Sequence, residues 1–246
     1  MPADYRVVPS CLRRGVGHQL SIARRCHRRQ HDDIPGRSSR RYTVRHGRAV
    51  CGQPCPPPLP KESCLMSATA LLVIDFQYGL IELAPRATRG AETLASLNRL
   101  IAHARACGHR VLFIQHHEAE LPRDSEAWQL HPGLQRQPDD PVIEKTAADS
   151  FLDTSLRQYL DSEEIENLWV GGYASDFCVD TTVRRAASLG YAVTVVADAH
   201  TCKDRPHASG ETLVAHLNWL WANLAVPGNA IRVLPLAALQ SGDDAA

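Results

Sequence analysis

Leu71-Leu72-Val73-Ile74 is apolar at every position yet only strand-long, and the pattern returns in Val111-Leu112-Phe113-Ile114 and Leu168-Trp169-Val170. A strand with one wet face alternates polar and apolar residues. A strand without alternation is covered on both sides, as in a parallel sheet between two helical layers. The intervening segments supply the helices. The order reads strand 71–76, helix 91–106, strand 110–115, a long segment carrying Trp128, and a short strand at 142–146. Helix 155–160, strand 167–171, helix 177–189, strand 192–197, helix 208–224 and strand 230–234 follow. Such alternation predicts an α/β fold with a central parallel sheet and helices on both faces. In the last helix Leu213, Leu217, Trp221 and Leu224 form an apolar stripe suited to core packing. Trp219 lies on another face, where a subunit contact is one use for it.

The first 65 residues have a different character. They hold 13 Lys and Arg against 4 Asp and Glu, a balance of +9, whereas the remainder has 14 against 23, or −9. The formal neutrality of the chain is the sum of two opposed parts. Arginine pairs such as Arg24-Arg25 and Arg40-Arg41, the run Pro56-Pro57-Pro58 and the absence of hydrophobic periodicity predict disorder. A nucleic-acid tail, a transit peptide, a zinc module and a start codon assigned too early all compete as explanations. Few aromatic residues, an unsuitable Cys51, Cys55 and Cys64 spacing and a poor amphipathic match favour the last, with Met66 leading directly into the first strand. Residues 66–246 are then one domain of ordinary size. The acid-rich domain argues against nucleic acid as a substrate, and no membrane span is expected. The N-terminus lacks the apolar core of a signal peptide, so reduced thiols in the cytoplasm are expected.

Three chemically capable residues each follow a predicted strand. Asp75 ends the first apolar run, Lys145 ends Val142-Ile143-Glu144-Lys145, and Cys178 follows Leu168-Trp169-Val170-Gly171 by a few residues at the start of a helix. Each alone has a plain explanation: a turn-forming Asp, a solvated Lys, a buried and inert Cys. Together they suggest a site, because strand ends of one parallel sheet converge where ligands of open α/β sheets bind. A helix start favours a thiolate at Cys178 through unpaired N–H groups and the helix dipole.

From about Ala70 to Leu236 the chain resembles the isochorismatase-like cysteine hydrolases, a group that includes nicotinamidases, N-carbamoylsarcosine amidohydrolases, ureidoacrylate amidohydrolases and streptothricin hydrolases. The resemblance rests on Val73-Ile74-Asp75-Phe76-Gln77, Val142-Ile143-Glu144-Lys145-Thr146, Gly172 through Thr182 and Val196-Ala197-Asp198-Ala199-His200-Thr201, in that order. It implies a three-layer Rossmann-like fold, usually in a homo-oligomer. It also implies a catalytic triad of Asp75, Lys145 and Cys178, a cis peptide at Tyr173-Ala174, and an oxyanion hole from the N–H groups of Ala174 and Cys178. Gln77, Trp128 and Phe177 are the expected substrate-binding residues. The implied chemistry is hydrolysis of a C–N bond in a small amide, lactam or ureido compound through a thioester, with no cofactor.

Departures from the family narrow this expectation. Nicotinamidases carry a metal-binding Asp-x-His after the second strand, whereas this chain has Gln115-His116-His117. A three-nitrogen site from His116, His117 and His131 is an alternative to ordinary polar histidines, and a metal-assisted nicotinamidase is the corresponding rival activity. An idle oligomeric binding protein of the same fold is a further rival. Cys202 also follows a strand end but lacks a helix start, because Pro206 intervenes. Cys107, beside Gly108, reads as structural.

Overall fold

Every residue of the run 70–74 is fully buried, and successive side chains leave it in opposite directions. Ala70, Leu72 and Ile74 join one core; Leu71 and Val73 join another. The computed structural model describes residues 68–226, 228 and 231–242. The extension expected at 1–65 lies outside the described residues. The strands are β1 (Ala68–Ile74), β2 (Arg110–His116), β3 (Val142–Lys145), β4 (Ile165–Tyr173), β5 (Ala192–Thr201) and β6 (Ile231–Leu234). They form one sheet in the order β3-β2-β1-β4-β5-β6, with every pairing parallel.

The helices are α1 (Tyr78–Ile81), α2 (Gly90–Ala106), α3 (Leu156–Ser162), α4 (Asp180–Ser188), α5 (Gly210–Ala222) and α6 (Leu236–Ser241). One face of the sheet packs against α3, α4 and α5 through residues such as Leu160, Val183 and Trp221. The other packs against α1, α2 and α6 through Ile81, Leu97, Leu100 and Leu236. This is the three-layer α/β architecture expected from the unalternating strands. Burial of one such Leu or Ile contributes about 1.5–3 kcal/mol, so the two cores dominate the stability. Within the α5 stripe Leu217 and Trp221 are buried, while Trp219 is 65 % exposed. No helix of the described residues is long and apolar enough to cross a membrane.

Three departures from the expected elements bear on the site. Two short helices, α1 and α6, have too few residues to display a period, and neither was expected. Cys178 does not open an α-helix: residues Ser175–Val179 form a π-helical turn, and α4 begins after it. β5 continues to Thr201 rather than stopping at Ala197, because its pairing with β4 shifts. Val170 faces Val195, whereas Gly172 faces His200, so three extra residues of β5 are accommodated there. Glycine makes room for them. A Cβ on Gly171 would lie 2.6 Å from the Ala199 carbonyl oxygen.

Candidate active site

The chain leaves β1 outward to β2 and β3 on one side, and from β4 outward to β5 and β6 on the other. Between β1 and β4 the direction of winding reverses, and a crevice opens there at the carboxyl ends of the strands. Asp75 follows β1, Lys145 ends β3 and Cys178 follows β4. Asp75 takes a left-handed conformation, φ 44°, that ends the strand, while its N–H still donates to the Ile114 carbonyl at 3.0 Å. Such a conformation is uncommon outside glycine, though Asp tolerates it better than most.

The three side chains meet around one ammonium. Lys145 Nζ lies 2.7 Å from Asp75 Oδ2 and donates to Cys178 Sγ at 3.2 Å. It also donates to the Ala147 carbonyl at 2.9 Å, and His116 Nδ1 lies 3.4 Å away. The Lys145–Asp75 contact is a close ion pair rather than an aligned hydrogen bond, since neither buried Asp75 oxygen accepts one of good geometry. The carboxylate therefore keeps acceptor capacity for a thiol proton or a substrate N–H. Among the described residues, the only other buried side-chain nitrogen or oxygen without a partner is Trp128 Nε1.

Proton affinities in this group are displaced upward. Burial raises that of Asp75 against the opposing pull of Lys145. For Lys145, burial acts downward, but Asp75 and Cys178 together outweigh it and the net direction is up. Burial, reinforced by the Asp75 carboxylate and only partly offset by Lys145, pushes the Cys178 thiol up to about 12. The direction is opposite to that expected of a thiol at a helix start. Helix-terminus stabilisation is outweighed by desolvation and by a buried carboxylate next to the sulfur.

The π-helical turn shapes the backbone donors. The Ala174 carbonyl accepts from Phe177 N at 3.0 Å and Val179 N at 3.1 Å. An α-turn would take the Cys178 N–H, four residues on from Ala174; the π-turn takes the Val179 N–H instead. The Tyr173–Ala174 peptide bond is cis. Ala174, at that bond, and Cys178 are thus set on the same turn, two residues to either side of Asp176.

The remaining expected residues divide. Gln77 is fully buried, and its Nε2 donates to the His116 carbonyl at 2.9 Å and the Trp128 carbonyl at 2.7 Å. Its Oε1 accepts from His116 N at 2.8 Å. Gln77 is therefore a brace between two walls. Phe177 is 55 % exposed beside the nucleophile, with the Arg205 guanidinium 4.9 Å from its ring centroid. Arg205 also makes a bidentate pair with Asp176 at 2.7 and 3.0 Å, tying the loop after β5 to the π-helical turn. Neither Arg205 nor the Lys145 contact of His116 was visible in the sequence, because both depend on elements far apart in it.

The three-histidine alternative does not assemble. His131 faces Glu82 Oε1 at 3.3 Å and accepts from Gly133 N at 3.1 Å, whereas His116 adjoins Lys145. No group of three or more His, Cys, Asp or Glu side chains among the described residues has the geometry to hold a metal ion. Cys202 is buried in the core on the α2 face. Cys107 is exposed, with Sγ 3.8 Å from His103 Nε2, so it is not a core cysteine. A concavity of about 710 Å³ lies between α2, α5 and the end of β5, and none of the triad lines it.

Comparison with known proteins agrees with this geometry. The isochorismatase domain model matches residues 69–225. A streptothricin hydrolase of Streptomyces noursei is 33% identical over 174 residues, covering 69% of this chain and 63% of that protein, so the match spans less than two thirds of its length. A second streptothricin hydrolase from Streptomyces noursei is 32% identical, covering 73% of each chain. Nicotinamidase of Escherichia coli is 29% identical over 63% of this chain and 98% of its own. A crystal structure of an isochorismatase family protein superposes with a TM-score of 0.63 at 34% identity, covering 68% of this chain and 97% of that one. With the matched domain and the parallel sheet in agreement, the chain belongs to the isochorismatase family.

Proposed function

We propose that this protein hydrolyses a C–N bond of a small amide, lactam or ureido compound, with Cys178 as nucleophile, Asp75 as general base and acid, and Lys145 as the cation that organises both. The observation that carries the reading is the position of Lys145 Nζ, 2.7 Å from Asp75 Oδ2 and 3.2 Å from Cys178 Sγ, at the carboxyl ends of the parallel strands. The sulfur attacks the substrate carbonyl as its proton passes to Asp75, whose burial makes it a stronger base than an exposed carboxylate. The N–H groups of Ala174 and Cys178 hold the oxyanion, one such donor contributing about 3–4 kcal/mol in comparable sites. As the C–N bond breaks, Asp75 returns the proton to the departing nitrogen and a thioester remains. Water then attacks the thioester and gives its proton to Asp75. The carboxylic acid leaves, and the sulfur recovers the proton.

Protonated Cys178 at rest fits this order of events, since deprotonation accompanies attack. Trp128, whose carbonyl is held by Gln77 Nε2 at 2.7 Å and Gln115 Nε2 at 2.9 Å, forms part of the pocket wall in this reading. Phe177 supplies apolar surface beside the sulfur.

Streptothricin, ureidoacrylate and nicotinamide are the first substrates to try, following the activities named for the relatives. Hydrolysis of one of them, followed by product mass, is expected for the wild type. It should fall at least about a thousandfold in Cys178→Ala and in Asp75→Asn. Turnover that survives Cys178→Ala would overturn the proposal.

A further inference from the structure

One buried polar chain plays no part in the chemistry above. Ser175 Oγ lies 2.8 Å from His200 Nδ1, His200 Nε2 lies 2.9 Å from Asn218 Oδ1, and Asn218 Nδ2 donates to the Ala197 carbonyl at 3.1 Å. Ser175 and His200 are both buried. The last link fixes every proton in the chain. With its NH₂ spent on Ala197, Asn218 presents its oxygen to His200, so Nε2 carries the hydrogen. Nδ1 is then an acceptor, and the Ser175 hydroxyl donates to it. Burial drives the proton affinity of His200 down to about 4, which preserves this neutral tautomer.

The placement of the chain gives it a purpose. Ser175 is the first residue of the π-helical turn and directly follows Ala174, one of the two proposed oxyanion donors. His200 reaches Ser175 only because the shift in the β4–β5 pairing sets it opposite Gly172. Asp176, the next residue of the turn, is held by Arg205 from the loop after β5. Both residues that open the turn are therefore fastened to the end of β5, one through a directional hydrogen bond with a single permitted proton arrangement.

We propose that His200 is a positioning residue for the oxyanion hole: by accepting the Ser175 hydroxyl proton it fixes the turn at the orientation in which the Ala174 and Cys178 N–H groups converge on one oxygen. This rests on the cysteine-hydrolase reading of the site. His200 touches no reacting atom. Its effect falls on steps that develop an oxyanion, not on the sulfur's reactivity in general.

Two reagents separate those effects. p-Nitrophenyl acetate acylates a thiol through a tetrahedral oxyanion, whereas iodoacetamide alkylates it by direct displacement and forms none. Both rates at Cys178 are measured on the full chain at pH 8 by intact mass, with Cys178→Ala as the control. In His200→Leu and Ser175→Ala acylation is expected to fall about tenfold or more, with alkylation within about twofold of wild type. His200→Asn, whose Oδ1 takes the place of Nδ1, should recover most of the acylation rate. His200→Gln, which reaches toward Asn218 instead, should not. Should His200→Leu fail to fold, Ser175→Ala and the Asn–Gln contrast carry the test. Unchanged acylation in the variants, or acylation and alkylation falling in step, overturns the role of His200 alone. A wild type that neither carries acetyl at Cys178 nor releases p-nitrophenol faster than Cys178→Ala overturns the hydrolase reading itself, and this inference with it.

Discussion

At the scale of single residues, Asp75 and Cys178 are two bases within reach of one cation, and their rivalry sets how the thiol responds to pH. The Asp75 carboxylate raises the proton affinity of Cys178, and Lys145 lowers it. Removing the carboxylate in Asp75→Asn should therefore speed iodoacetamide labelling at pH 8 by about tenfold or more, one pKa unit being a factor of ten in thiolate. Lys145→Ala should slow it. In the wild type the labelling rate should climb with pH up to at least pH 10 without a plateau, as the rise to about 12 requires. A plateau reached near neutral pH would show a resting thiolate and refute this account. The meeting of Asp75, Lys145 and Cys178 was legible in the sequence, because each follows or ends a strand and parallel strands end together. The protonation of Cys178 was not, since it depends on burial and on a carboxylate 103 positions earlier in the chain. The bracing role of Gln77 was hidden for a similar reason: its partners lie 39 and 51 residues away.

At the scale of elements, β4 must carry two glycines just before its last residue. Gly172 has φ +125°, and a Cβ there would lie 2.0 Å from the Ile74 carbonyl oxygen, in the neighbouring strand and one residue before Asp75. Gly172→Ala should thus force β1 and β4 apart where the site is built. We expect a loss of about 4 kcal/mol or more, read from urea denaturation, or no recoverable folded protein. A loss below about 1 kcal/mol would mean that the strands separate easily. Long elements such as α2 and β2 were readable from apolar spacing to within a residue or so. The π-helical turn was not, because a 3.6-residue period carries no sign of one extra residue. Nor was the length of β5, which is set by its pairing with β4 rather than by its own composition.

At the scale of the whole molecule, the two cores and the site draw on residues from Ala70 to Leu239. We expect a chain beginning at Met66 to show a single cooperative urea transition and to acylate Cys178 at the full-chain rate. Loss of cooperativity or of reactivity would assign a structural role to the residues before it. The parallel sheet was legible in the strands alone; the order of its strands was not, because nothing in an apolar run says which neighbour it will take. That order divides the site between two stretches of chain. Asp75 follows β1 and Lys145 ends β3, whereas Cys178 follows β4, 33 residues after Lys145. A ribosome adding about 5–20 residues per second completes the base and the cation roughly 2–7 seconds before it delivers the sulfur. Until β4 lies against β1, the newborn thiol has no partner and the nascent protein has no active site.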